Sequence, residues 1–408
     1  MLPNAIDTKR VEKSALLYSR GILFDIFPYF IHNIKDKFAY SIDISIILYY
    51  NLREINGGKE MRSFNYSAFK EQKWDSDILG LIAAIYKEAG KQEQYLKQRP
   101  QEMEKLVEIA KIQSTEASNA IEGIVTTSTR IKQLVEEKTT PRNRDEQEIA
   151  GYRDVLNVIH ESFDAIPITQ NYILQLHKML YSHMNNPLDG RTKSVQNYIS
   201  AAYPDGHTEI LFTPLEPNET SEALDRICEE YNRVIGNLEV ELLIIIPIFI
   251  HDFLCIHPFN DGNGRMSRLL TTLLLYQNGF YIGKYISLEA KISKNKDLYY
   301  SAMSQSQMGW HEGKEDALPF IKYILGTILA SYKDFEERTS LVQEKLPALE
   351  MVRMASKSKI GRFNKQDIRE LCPTLSDSSI EGALRKLVAA GELKKEGKGK
   401  STCYFRLN

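Results

Sequence analysis

The stretch His257-Pro258-Phe259-Asn260-Asp261-Gly262-Asn263-Gly264-Arg265-Met266-Ser267-Arg268 lies between two apolar segments, and that arrangement limits what the chain can fold into. Leu242 to Ile256 is almost continuously hydrophobic and too long for one strand. Leu269 to Tyr276 is followed by Asn278-Gly279, a helix stop. Two buried helices joined by a polar, Gly-rich loop satisfy this pattern. The loop packs one histidine, one carboxylate, two glycines, two asparagines and two arginines into twelve residues. That set suits a phosphate ester beside a metal.

Each residue type has a physical reason to be there. Gly262 and Gly264 let the backbone approach a ligand closely. A helix beginning near Gly264 points its free N–H groups into the loop, where they and the helix dipole favour anions. Arg265 and Arg268 are three apart, on neighbouring positions of one surface, and each can clamp a phosphate. Asp261 is a hard oxygen ligand suited to Mg²⁺ held partly by nucleotide phosphates. His257 ordinarily titrates near neutrality and suits general-base work on a hydroxyl.

The loop resembles the signature of the Fic family, HPF-x-D/E-GNGR-x-x-R, with every fixed position matched. The resemblance implies a mainly α protein: a helical Fic core with a β-hairpin flap. It implies AMPylation, the transfer of AMP from ATP to a protein hydroxyl. His257 is then the base and Asp261 the Mg²⁺ ligand. Gly262, Asn263, Gly264, Arg265 and Arg268 are nucleotide-binding. Ser118-Asn119-Ala120-Ile121-Glu122-Gly123 resembles the family's inhibitory motif, S/T-x-x-x-E-G/N, which makes Ser118, Glu122 and Gly123 inhibitory. Ser118 and Glu122 are i and i+4, on one helix face, and Gly123 ends the helix. Tyr299-Tyr300 resembles the family's adenine wall, with aromatic core packing as the other reading. DeAMPylation or transfer of another phosphate-containing group by the same site stays open.

The rest of the chain fits helices. With 408 residues and 43% hydrophobic content, it can bury more than one core. The periodicity predicts helices over Asp77–Leu96, Gln101–Ala120, Glu148–Ser162, from Thr169 as N-cap through Leu180, and Ser221–Val234. Glu136 to Glu148 reads as a solvated loop or helix end. His177 and His183 read as structural. Between Ser194 and Pro214 the helical period breaks, predicting a hairpin with a turn near Pro204-Asp205-Gly206. In the family such a flap holds the target peptide by strand addition. Expected domains are an atypical extension over 1–60, with Met61 as the natural start, an N-terminal helical domain over 61–145 and the core over 146–335.

Ser331 to Lys345 reads as a charged, helical connector. Residues 346–408 read as helix, helix and basic-tipped hairpin, resembling a winged helix-turn-helix domain. Between Arg353 and Arg406 there are 13 Lys/Arg and 6 Asp/Glu. DNA binding is one reading, and a DNA-binding regulator with a nucleotide-sensing core is a rival function. The second helix offers only Arg385 and Lys386 for base readout, which favours a partner protein. The net charge of −2 gives no global pull to nucleic acid or membrane. No run reaches the ~18 apolar residues of a membrane span, and no signal-peptide pattern opens the chain. Cys228, Cys255, Cys372 and Cys403 are scattered without metal-site spacing, which fits a reducing cytoplasm. The expected partners are a protein substrate or the chain itself, with a homodimer left open.

Overall fold

A computed structural model describes residues 62–406, apart from 99, 185–189, 203–204, 206, 344–346, 360, 373, 398 and 400–401. The extension over 1–60, the start at Met61, and Pro204 and Gly206 of the hairpin turn lie outside the described residues. After a short 3₁₀ turn (Tyr66–Lys70) come α1 (Ser76–Gln98), α2 (Pro100–Ile121), α3 (Ser128–Glu136), α4 (Arg144–Ser162) and α5 (Gln170–Leu180). A hairpin of β1 (Ile199–Ala202) and β2 (Thr208–Phe212) follows, then α6 (Pro217–Gly236), α7 (Leu242–Ile256) and α8 (Asn263–Gln277). Next are α9 (Leu288–Lys294), α10 (Lys296–Gln307) and α11 (Leu318–Gln343). The chain closes with α12 (Ala348–Ser358), α13 (Lys365–Leu371), α14 (Asp377–Ala389), β3 (Leu393–Glu396) and β4 (Cys403–Arg406).

The core is built around α7. Every side chain from Leu243 to Ile256 is buried, as an all-apolar helix requires. Its single carboxylate, Asp252, is satisfied by Trp310 Nε1 at 2.6 Å and Tyr66 Oη at 2.9 Å. That pair ties the first described segment to the centre. Pro247 sits in the second turn of α7, where its missing N–H leaves the Leu243 carbonyl without its usual helical donor. Helices α6, α8, α10 and α11 pack on α7, and α1 lies along α11.

Several expectations shift. The segment from Ser331 is helical as expected, but it continues the preceding core helix, α11, which runs unbroken from Leu318 to Gln343. The expected boundaries at 145 and 335 fall inside α4 and α11, and residues 63–408 cluster as one compact unit. The solvated reading of Glu136–Glu148 fails at Glu146, which is buried against Arg130 at 2.7 Å. That pair explains why α3 and its Thr127 cap escaped the periodicity argument: a buried Arg–Glu bridge looks like surface charge in one dimension. No helix of the described residues is long and apolar enough to cross a membrane. The C-terminal elements share their own core, including Val352, Ile368, Leu384 and Leu387.

Helices α4 and α5 touch at a point of no clearance. A Cβ on Gly151 would lie 1.9 Å from the Leu180 carbonyl oxygen. Backbone cannot yield as a flexible side chain does, so Gly151→Ala should destabilise the chain by about 3 kcal/mol. Urea unfolding of the variant beside the parent chain checks this, and an unchanged midpoint would contradict it.

Candidate active site

The loop between α7 and α8 forms one wall of a cavity of about 540 Å³. His257 caps α7 with φ 51°, a left-handed conformation uncommon for a side chain of this kind. Its Nδ1 lies 3.2 Å from the Leu254 carbonyl, to which it donates in the neutral ring. Nε2 is then the basic nitrogen, on a ring that lines the cavity. Burial lowers the imidazole pKa to about 4, and nearby Lys193 adds to the effect. At neutral pH His257 is an uncharged base.

Gly262, at φ 82°, caps α8, and the first helical bond runs from Met266 N–H to the Gly262 carbonyl. The N–H groups of Asn263, Gly264 and Arg265 therefore precede the ladder, at the positive end of the helix. The Asn263 side chain is committed to the loop itself. Its Oδ1 accepts from Phe259 N–H at 2.9 Å and its Nδ2 donates to the Phe259 carbonyl at 2.7 Å. Asn263 thus meets the cavity while stapling the turn. Asp261, 49% exposed, lies at the cavity wall with Oδ1 accepting from Gly262 N–H. Among the described residues no cluster of three metal-ligating side chains exists. A lone exposed carboxylate fits a Mg²⁺ whose other ligands are phosphates and water.

The two arginines part company. Arg268 lines the cavity. Arg265 does not: it is 1% exposed, paired with Glu148 at 2.8 Å and bonded to Tyr181 Oη at 2.8 Å. The expectation that both clamp phosphates from one surface fails for the Arg265 side chain. At three residues apart their directions differ by about 60° around the helix, enough for one to face the core. Arg265 is absent from the cavity lining and holds the first turn of α8 to the core.

Helix α2 brings its last turn to the same cavity. Glu122 Oε1 accepts from Arg268 Nη2 at 2.7 Å. Arg268 Nε donates to Ser118 Oγ at 2.8 Å, and Nη2 to the Ser118 carbonyl at 2.8 Å. Gly123 ends the helix at φ 81°, and Lys296 Nζ caps it through the Ile121 carbonyl at 2.6 Å. The Glu122 carboxylate lies against the start of α8. A Cβ on Gly264 would fall 2.2 Å from Glu122 Oε1, so only glycine leaves room for a carboxylate there. Tyr299 and Tyr300 also line the cavity, Tyr299 buried and Tyr300 exposed, with ring centroids 5.4 Å apart. The hairpin contributes Ile199, Ser200, Ala201 and Leu211.

Sequence reasoning missed the residues that hold the loop. Lys193 N–H donates to the Pro258 carbonyl at 2.7 Å, and Asn197 Nδ2 to the Phe259 carbonyl at 2.9 Å. His177 stacks on Phe259 at 3.6 Å, with Nε2 3.0 Å from the Asp261 carbonyl, which suits its structural reading. Short polar residues before a strand carry no periodic signal, so Lys193 and Asn197 could not be found that way.

Removing the Arg265 side chain takes from buried Glu148 one of its two cations, Arg144 at 2.9 Å being the other, and takes the donor from Tyr181 Oη. Arg265→Met should therefore lower unfolding stability by about 3 kcal/mol. Chemical denaturation checks this, and a variant as stable as the parent would place Arg265 outside the structural framework.

Residues 167–275 match the model of the Fic/DOC family. The protein adenylyltransferase Fic of Nematostella vectensis is 25% identical over 230 residues, covering 54% of this chain and 48% of that protein. The protein adenylyltransferase fic-1 of Caenorhabditis elegans is 25% identical over 186 residues, covering 44% of this chain and 32% of that protein. The chain thus spans about half or less of the length of these relatives. A Fic family protein from Desulfovibrio desulfuricans G20 superposes with a TM-score of 0.53 at 19% identity, covering 83% of this chain and 98% of that one. A Fic domain containing signalling protein from Bacteroides thetaiotaomicron VPI-5482 gives 0.51 at 20% identity, covering 64% and 96%. These likenesses establish the fold. The matched residues include the whole His257–Arg268 loop, whereas Glu122 and Tyr299 lie outside them. The chain carries a Fic/DOC family domain.

Proposed function

We propose that this chain is a protein adenylyltransferase restrained by its own Glu122. One observation carries the reading: a neutral imidazole, a helix N-terminus and a buried arginine line one cavity, and a carboxylate from α2 occupies that arginine. His257 Nε2 takes the proton of a Ser, Thr or Tyr hydroxyl. The oxygen attacks the α-phosphorus of ATP, the bond to the bridging oxygen breaks, and pyrophosphate leaves. The N–H groups at the start of α8 stabilise the charge on the phosphoryl oxygens. Asp261 would hold Mg²⁺, which would neutralise phosphate charge. Arg268 binds the terminal phosphates once Glu122 withdraws, and Tyr299 and Tyr300 flank the adenine. The relatives named adenylyltransferases support this reading.

The hairpin supports a protein as acceptor. It lines the cavity and presents Tyr198, Ile210 and Leu211 exposed, a two-stranded ribbon suited to adding a peptide strand. Residues 346–406 we read as a winged helix that contacts a partner protein. The start of α14 presents Asp377 and Glu381, paired with Lys365 and Arg369, and that disfavours a phosphate backbone. A cytoplasmic setting accords with four free cysteines among the described residues.

The restraint is tested with labelled ATP and the full chain, reading AMP on the protein by mass spectrometry. Glu122→Gly should raise transfer tenfold or more, about 1.4 kcal/mol or beyond. Arg268→Ala should be inactive, and adding Glu122→Gly should not restore it. Equal rates in the parent chain and Glu122→Gly would return Ser118–Gly123 to an ordinary helix end.

The base has its own signature. His257→Ala should abolish transfer while changing ATP affinity only a few-fold. Because burial lowers the His257 pKa to about 4, the base stays unprotonated above that value. Transfer by Glu122→Gly should therefore keep its rate as pH falls from 8 to about 5.5, and decline only towards about 4. An acid limb centred near 6.5 would show a solvated imidazole instead.

A further inference from the structure

A second cavity, of about 290 Å³, lies away from the catalytic loop, walled by α2, α9, α11 and α13. Arg338 of α11 lines it, although the residue is only 4% exposed. Its Nε and Nη1 are sealed from solvent and, among the described residues, have no hydrogen-bond partner. Among the described residues no carboxylate forms an ion pair with it. Burial pushes its pKa below the ordinary arginine value, despite Asp334 and Glu370 nearby.

The other two cations of the cavity are paired. Lys291 pairs with Asp334, and Lys294 with Glu370. Glu116 of α2 accepts from Ser128 Oγ at 3.2 Å. Among the described residues Arg338 and Glu116 are the two charges of this cavity without an ion pair, and a buried guanidinium in that state is costly. Its neighbours supply polar groups for a ligand: Ser293 and Gln366 face the same space.

We propose that this cavity binds a small oxyanion, a phosphate or a carboxylate group, that neutralises Arg338. The volume admits a group of that size together with water. The ligand would be held between the core helices and α13 of the C-terminal module, on the side of the cavity that Arg338 lines. This assignment is independent of the chemistry at His257.

The test is thermal unfolding and equilibrium dialysis of the full chain in non-coordinating buffer, titrated with inorganic phosphate or acetate. The parent chain should bind one more anion than Arg338→Met, and its midpoint should rise by about 2 °C or more at saturation. The anion that produces the difference assigns the class, phosphate ester or carboxylate. Ala290→Met, which fills the cavity and leaves Arg338 in place, should lose the extra anion as well, and it serves if Arg338→Met does not fold. Phosphate bound at the start of α8 is common to all three chains and cancels in the comparison. Equal anion stoichiometry in the parent and the variants would overturn the assignment, as would a parent chain indifferent to both anions.

Discussion

The contact on which the site depends is the grip of α2 on Arg268. A guanidinium in a mostly apolar setting needs its charge and its donors answered. Here Ser118 answers with a hydroxyl and a carbonyl, and Glu122 with a carboxylate. The three acceptors come from one helix turn, so the helix end and the arginine position each other. Glu122 is 33% exposed, and its partner is 4% exposed. The carboxylate can leave for solvent far more easily than the guanidinium can. On the proposed reading, an incoming polyphosphate would offer Arg268 the same charge in the same place, and the pair would be an exchangeable one.

That exchange requires a rigid receiver. The catalytic loop has little repeating structure of its own, and its carbonyls are held from outside. Lys193, Asn197 and His177 bond the carbonyls of Pro258, Phe259 and Asp261, while Asn263 closes the turn from within. Arg265 anchors the first turn of α8 to Glu148 and Tyr181 beneath it. The polar groups of the loop thus divide into those that hold it and those that meet a ligand. His257 belongs to the second set because its Nδ1 is spent on Leu254.

Much of this was legible in the sequence, for identifiable reasons. The apolar runs on either side of His257–Arg268 could only be buried helices, and Gly262 had to be where the backbone turns through positive φ. The i, i+4 spacing of Ser118 and Glu122 put both on one face, where Arg268 meets them. What one dimension could not supply was direction. Arg265 and Arg268 look alike in a sequence, yet a few tens of degrees of helix rotation sends one to the core and the other to the cavity. Glu146 looked like surface charge because its partner, Arg130, is sixteen residues away. The charged second half of α11 looked like a linker because its exposed face is charged, while Tyr332, Phe335 and Thr339 on its other face stay buried.

The central claim is that a phosphate and the Glu122 carboxylate compete for one arginine. Calorimetric titration of ATP into the full chain and into Glu122→Gln tests it most directly, since the amide keeps the shape and removes the charge. The account predicts a dissociation constant lower by about tenfold in Glu122→Gln, matching the loss of a charge-assisted contact. Identical affinities in the two chains would mean that Arg268 never had to choose, and would contradict the account.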